Sequence, residues 1–413
     1  MDELIRTYMP QMLTGSRLEE ALRIQPEYNE SIRNATEAER LIALQDLYSV
    51  YIPTEMSREI YSKLYLALLR SMSKKQSLIA VRQFSENQNI IKGKEFSSII
   101  GGSDSFTIIG DSGIGKSATV SRVIDMISSK HVIELPNSMR VIPCVQVQTP
   151  ADCSVKGLLF EVLRKVDEIL DTRYHYNASR VGSTTDMLIG SISSVALNHI
   201  GLLVVDEIQN VVNSKNGTVV VGMLTQLINN AGISICMVGT PKSALFFGQE
   251  MMLARRSLGL SYGPFSFDDT FTSFCEELFR YQYVQNKTAL DSVILQWLYN
   301  HSRGNVSIVV SLLHDAQETA ILDGSEELNI HSLEKAYKCR LEMLHDYLYQ
   351  EPIQIKKKSS RKRMDTSEVA AASTENREQN LITDVVKRAK RLQKNVVDEL
   401  VCYGVKVVVS SDL

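Results

Sequence analysis

The sequence predicts an α/β protein, with a central parallel sheet flanked by helices, a helical segment before it and a smaller helical unit after it. Three observations predict this class. Short apolar runs at Phe106–Ile109, Val141–Val147, Gly201–Val205 and Ile233–Val238 alternate with longer helical stretches near 116–129, 155–171, 184–198 and 218–231. Such alternation implies right-handed crossovers and parallel pairing. Strands of that kind are buried on both faces, and Leu202-Leu203-Val204-Val205 is continuously apolar as required. Finally, a glycine-rich octapeptide lies directly between the first apolar run and the first of these helices.

Residues 1–90 lack strand patterns and read as helical. Asn34–Tyr51 carries Leu41, Ile42, Leu44, Leu47 and Tyr48 close to helical spacing, and Pro53 ends that helix because it has no N–H to donate. Thr54 or Ser57 caps the next helix, which runs to about Met72 with Ile60, Leu64, Ala67 and Leu68 on one face. The α/β core occupies 91–268. Residues 269–350 are helical again, including Ala289–Tyr299, Val306–Leu322 and Ile330–Tyr349. A basic and polar linker covers 351–380, with six basic residues among the eight of 356–363, and reads as flexible. In 381–413, Leu381, Val385, Ala389, Leu392, Val396 and Leu400 form an apolar stripe bordered by Lys and Arg, followed by a short apolar tail. That helix reads equally as a docking element or as self-packed.

Bulk properties exclude a few classes. The chain has 413 residues, 44% hydrophobic and 23% charged, with a net charge of -3, which is the balance of an ordinary globular protein. Its six cysteines, Cys144, Cys153, Cys236, Cys275, Cys339 and Cys402, form no C-x-x-C pair and read as reduced core residues. The N-terminus lacks signal-peptide character, and no apolar run approaches the roughly 20 residues that span a bilayer. The expectation is a cytoplasmic protein with no membrane contact.

Gly110-Asp111-Ser112-Gly113-Ile114-Gly115-Lys116-Ser117 matches G-x-x-x-x-G-K-[ST] at every fixed position. Triphosphate oxygens need several N–H donors at once. A loop ending at a helix N-terminus supplies them, with glycines permitting close approach. Lys116 is expected at the β- and γ-phosphates of ATP and the Ser117 hydroxyl on Mg²⁺. About ninety residues on, the apolar run ending in Asp206-Glu207 places two carboxylates at a strand end, pointing different ways. Asp206 then holds Mg²⁺ through water, while Glu207 faces the attacking water. Alone, an Asp-Glu pair could equally cap the following segment; paired with the loop, the catalytic reading prevails.

Beyond these motifs the chain resembles the AAA+ ATPases. Ile233–Val238 leads into Gly239-Thr240-Pro241, where those proteins keep a polar sensor, a role Thr240 fits. Fifteen residues later Arg255-Arg256 resembles the segment that gives an arginine finger to a neighbouring subunit, although adjacent arginines also occur as solvated surface. Within AAA+ the chain looks most like TnsC and its relatives TniB and MuB. The likeness rests on Asn198–Asn210 with its Asp-Glu-Ile-Gln stretch, on Cys153–Leu158, on Ser302–Leu312 in the lid, and on Leu47–Leu69. One departure stands out. Many AAA+ lids carry a second sensor arginine where this chain has Ser307, with Arg303 four residues earlier, so slow hydrolysis or a different lid role follows.

The resemblance implies an ATPase that assembles on double-stranded DNA as a homo-oligomeric ring or helical filament. It would join a target selector of the TnsD/TniQ type to transposase subunits of the TnsA/TnsB type, with hydrolysis driving disassembly. The 1–90 region would dock partners, and 269–350 would be the lid. Analogy directs DNA to loops at 149–157 and 172–181, making Lys156, Arg173 and Arg180 candidates against the alternative of solvated charges. Two other readings stay open: a loader or remodeller of a replication or helicase complex, and a nucleotide-binding scaffold without DNA.

Overall fold

In the computed structural model the chain divides into two units, Met1–Gln350 and Glu351–Leu413. The structure describes residues 9–75, 105–128, 131–135, 139–150, 154–180, 184–211, 233–243 and 259–341, with single positions between 220 and 227, all in the first unit. The expectations for 356–363, for the 381–400 helix and for Arg255 and Arg256 lie outside the described residues, as does most of the 218–231 stretch.

The sheet has six strands in the order β2-β3-β4-β5-β1-β6. They are β1 (Phe106–Gly110), β2 (Ile133–Glu134), β3 (Arg140–Gln148), β4 (Ile200–Asp206), β5 (Ser234–Gly239) and β6 (Leu260–Tyr262). All neighbours pair in parallel except β2 with β3. The expected parallel sheet is therefore present, with a short antiparallel edge. Alternation within the apolar runs serves two cores. Leu203 and Val205 of β4, with Val145, Val147, Ile235 and Met237, face one side. Leu202 and Val204, with Val141, Cys144, Cys236 and Val238, face the other.

The N-terminal segment contains α1 (Gly15–Leu22), α2 (Glu37–Ala43), a 3₁₀ turn (Leu44–Ser49) and α3 (Glu55–Lys75). A single helix over Asn34–Tyr51 is not formed. The tighter turn puts Leu44 and Leu47, three residues apart, on one side, and both are fully buried among lid residues. Thr54 and Ser57 cap α3 reciprocally, each backbone N–H reaching the other's hydroxyl at 3.1 and 3.4 Å. Ile60, Leu64, Ala67 and Leu68 are buried, packed with α1, α4 (Lys116–Ile127) and the sheet. At the C-terminal end of α3 the Lys75 ammonium donates to Ala196 O at 3.1 Å and to Leu197 O, and burial pushes its pKa down to about 7.

The opposite face is covered by α5 (Val155–Leu170) and α7 (Thr185–His199), with α6 (Tyr174–Arg180) between them in sequence. The helical unit expected as the lid contains α8 (Asp269–Phe279), α9 (Ser292–Ser302), α10 (Val306–Leu322) and α11 (Ile330–Ala336), around a third core that also holds Leu44 and Leu47. Arg40, buried, pins the N-terminal segment to this unit: it pairs with Glu326 (Nη2 to Oε1 2.6 Å) and donates to Tyr283 O at 3.1 Å. Among the described residues no helix is long and apolar enough to cross a membrane. Cys144, Cys236 and Cys275 are buried and unbridged, whereas Cys339 is exposed.

Candidate functional site

Because β1, β4 and β5 are parallel, their C-terminal ends open on one edge, and the order β4-β5-β1 sets the end of β5 between the other two. Gly110 to Gly115, Asp206-Glu207 and Thr240 thus reach one place from positions up to 130 residues apart. The loop after β1 passes through two left-handed glycines, Gly113 at φ +83° and Gly115 at φ +93°. Gly115 caps α4, its carbonyl accepting from the Thr119 N–H at 2.9 Å and from the Thr119 hydroxyl at 2.9 Å. Lys116 is buried and its ammonium donates to Gly110 O at 2.8 Å and Asp111 O at 2.7 Å. Burial lowers its pKa, and the carboxylates of Asp206, Asp111 and Glu207 oppose that shift.

Asp206 is the last residue of β4 and is buried; its Oδ1 accepts from the Glu207 N–H at 2.8 Å. Glu207 takes φ +56°, a left-handed conformation uncommon for a non-glycine residue, and leads into a 3₁₀ turn over Ile208–Val211. That turn of the backbone separates the two carboxylates: Asp206 stays in the sheet edge, while Glu207 is exposed. Gln209 donates to Glu207 Oε2 and accepts from the Thr240 N–H at 3.2 Å. The Thr240 hydroxyl is buried without a protein partner among the described residues.

A cavity of about 400 Å³ joins these groups. Its polar wall is Ser112 to Thr119, Asp206, Glu207, Gln209 and Thr240, and its apolar wall is Leu47, Val50, Ile52, Met56, Phe274, Val306 and Val310. The lid touches the phosphate loop directly. Asn305 Nδ2 donates to Ser112 O at 2.7 Å, and the Ser307 N–H donates to Gly113 O at 2.9 Å. Asn305 also caps α10 through Ser307 N at 3.2 Å. The contact is close: a Cβ on Gly113 would lie 2.4 Å from Ser307 Oγ. A neutral polar pair, Asn305 and Ser307, thus clasps the loop backbone. Arg303 sits at the C-cap of α9 with φ +51°.

The DNA candidates are all exposed. Lys156 is in the first turn of α5, and Arg173 follows its far end, about 24 Å away along a helix of 16 residues. Residues 172–181 are not the expected loop, because Tyr174–Arg180 is helical. It folds back on α5, His175 meeting Phe160 with ring centroids 5.4 Å apart, and the Arg180 guanidinium lies over the Tyr176 ring at 5.3 Å.

Sequence reading missed Gln209 and Asn305 as site residues, and it missed the wall formed by 47–56. Gln209 lay in view within Asp-Glu-Ile-Gln but without a role. The apolar wall gave no separate signal, since residues lining a base-sized pocket look like core in a sequence.

A glycine-rich loop, a strand-end carboxylate pair and a polar residue at the end of the intervening strand, covered by a helical unit, define a nucleotide-binding protein of the P-loop class. Residues 101–257 match the family model described as the bacterial TniB protein, so a TniB likeness is shown for that segment. No curated protein matches the chain. Among solved structures it is similar to the Aeropyrum pernix ORC1 protein in complex with DNA, at 14% identity and TM-score 0.40 over 63% of this chain and 63% of that one. It is also similar to Drosophila ORC bound to DNA, at 13% identity and TM-score 0.40 over 98% and 85%. Cdc6p from Pyrobaculum aerophilum aligns at 13% identity and TM-score 0.40 over 75% and 76%. The chain spans less than two thirds of the ORC1 protein's length.

Proposed function

We propose that the protein is an ATP-dependent regulator of DNA transposition. In this reading it oligomerises on double-stranded target DNA and links a target selector of the TnsD/TniQ type to transposase subunits of the TnsA/TnsB type. The observation that supports the reading is a cavity whose glycine loop, carboxylate pair and Thr240 all lie within the segment that matches TniB.

The residues fit ATP and Mg²⁺ by their donor chemistry. The left-handed glycine loop offers backbone N–H groups, the buried Lys116 offers a cation, and the unpartnered Thr240 hydroxyl offers a polar contact. The apolar wall between 47–56 and the lid suits a base. Ser117 and Asp206 would hold Mg²⁺, which when bound neutralises triphosphate charge. Glu207, exposed at the cavity, orients water and takes its proton. Arg255 and Arg256 would complete the site of a neighbouring copy, so that ATP joins protomers and hydrolysis releases them. Lys156, Arg173 and Arg180 would meet DNA phosphates without reading sequence.

The test is retention of the purified protein on duplex DNA with and without a nonhydrolysable ATP analogue. Retention is expected only with the analogue, to be abolished by Lys116→Ala, and Glu207→Gln should stabilise assemblies formed with ATP. Equal coating of DNA in nucleotide-free buffer would overturn the proposal.

A further inference from the structure

We propose that Gln209 is a positioning residue that holds the Glu207 carboxylate and couples it to Thr240. This deepens the reading that ATP is hydrolysed in the cavity, and rests on it.

The arrangement begins with backbone shape. The left-handed turn at Glu207 and the 3₁₀ turn after it bring Gln209 across to the end of β5. Its carboxamide has two partners of opposite kind: Nε2 donates to Glu207 Oε2, and Oε1 accepts from the Thr240 N–H at 3.2 Å. A backbone N–H only donates and a carboxylate only accepts. One orientation of the amide therefore satisfies both, and flipping it would lose both. The end of β5 is kept bare for this contact: a Cβ on Gly239 would lie 3.1 Å from Gln209 Oε1 and 2.6 Å from Ile208 Cγ2. The residue whose N–H anchors the amide, Thr240, is also the one whose hydroxyl, at the cavity, is buried without a partner among the described residues. A ligand that engages that hydroxyl bears on Glu207 through a single side chain.

Neither a charged nor an apolar side chain of similar length does both jobs. Glutamate at 209 keeps the acceptor for Thr240 but sets two carboxylates against each other. Methionine keeps the length and loses both hydrogen bonds.

The experiment compares Gln209→Met, Gln209→Glu, Glu207→Gln and the double variant Gln209→Met/Glu207→Gln by steady-state and single-turnover ATP hydrolysis, with affinity measured by a fluorescent ATP analogue. Both Gln209 variants are expected to lose about tenfold to a hundredfold in kcat, the scale of a misplaced reacting group, while KM and analogue affinity stay within about twofold. On the Glu207→Gln background, Gln209→Met should cause no further fall, because residues that act as a unit are not additive. An unchanged kcat in Gln209→Met, a parallel loss of analogue affinity, or an equal further fall in the double variant would each overturn the role. Those results leave the catalytic reading of Glu207 standing. If Glu207→Gln itself hydrolyses ATP at the unaltered rate, that reading fails and this one with it.

Discussion

Gly113→Ala should uncouple the lid from the phosphate loop. Gly113 sits at φ +83°, where alanine costs about 1–2 kcal/mol. Its added Cβ would stand 2.4 Å from Ser307 Oγ and 2.6 Å from Asn305 Oδ1, both on the first turn of α10 or its cap. Ser307 alone changing rotamer would leave the clash with Asn305, so the lid must retreat. Retreat breaks the bonds from Ser307 N–H to Gly113 O and from Asn305 Nδ2 to Ser112 O, each worth about 1 kcal/mol net. The backbone strain falls on the folded state with or without nucleotide, so the two lost bonds, about 2 kcal/mol together, set the loss of affinity. At about 1.4 kcal/mol per decade, nucleotide affinity should fall by roughly twentyfold to thirtyfold. Titration with a fluorescent ATP analogue measures this, with Asn305→Ala as the milder companion, expected to lose about tenfold. Binding by Gly113→Ala within threefold of the unaltered protein would refute the claim that the lid is clasped through this glycine.

Three other outcomes are expected. Lys75 binds its proton less tightly folded, near pH 7, than unfolded, so stability should rise as pH increases from about 7 towards 10.5, and Lys75→Met should flatten that rise in chemical denaturation. Glu326 is held below the usual carboxylate range by its hydrogen bonds from Arg40, so its contribution is present above that range and is lost as pH falls through it. Glu326→Gln should accordingly destabilise by about 3 kcal/mol near neutrality, because the buried Arg40 loses its counter-charge, and the difference from the unaltered protein should shrink in acid. If Lys156 meets a DNA phosphate, Lys156→Ala should reduce the slope of log affinity against log salt by about 1 with analogue bound; an unchanged slope removes it from the DNA interface.

Much of the candidate site, as a set of residues that line one cavity, could be read from the sequence because its parts are local. The phosphate loop is eight consecutive residues, and Asp206-Glu207 ends a strand whose two-sided burial forces an uninterrupted apolar run. Elements without such constraint were missed. β2 and β6 have two and three residues, too few for a period to emerge. The helix Tyr174–Arg180 has seven residues and buries none of them fully, with only Tyr174 and Ala178 packed against the core, too few to show a period. Asn34–Tyr51 has helical spacing but breaks at Leu44, because the lid core that captures Leu44 and Leu47 lies more than two hundred residues away. The Asn305 and Gln209 contacts are likewise products of long-range closure, joining residues 193 and 31 positions apart.

The placement of Leu47, Val50, Ile52 and Met56 along the cavity has a practical result. A fragment trimmed to begin at the glycine loop would keep every residue of the phosphate motifs yet forfeit one side of the chamber. It would also strip the lid of Leu44, Leu47 and the Arg40 anchor. A piece that takes up nucleotide is therefore expected to start upstream of residue 40, which expression of fragments beginning on either side of that position would check.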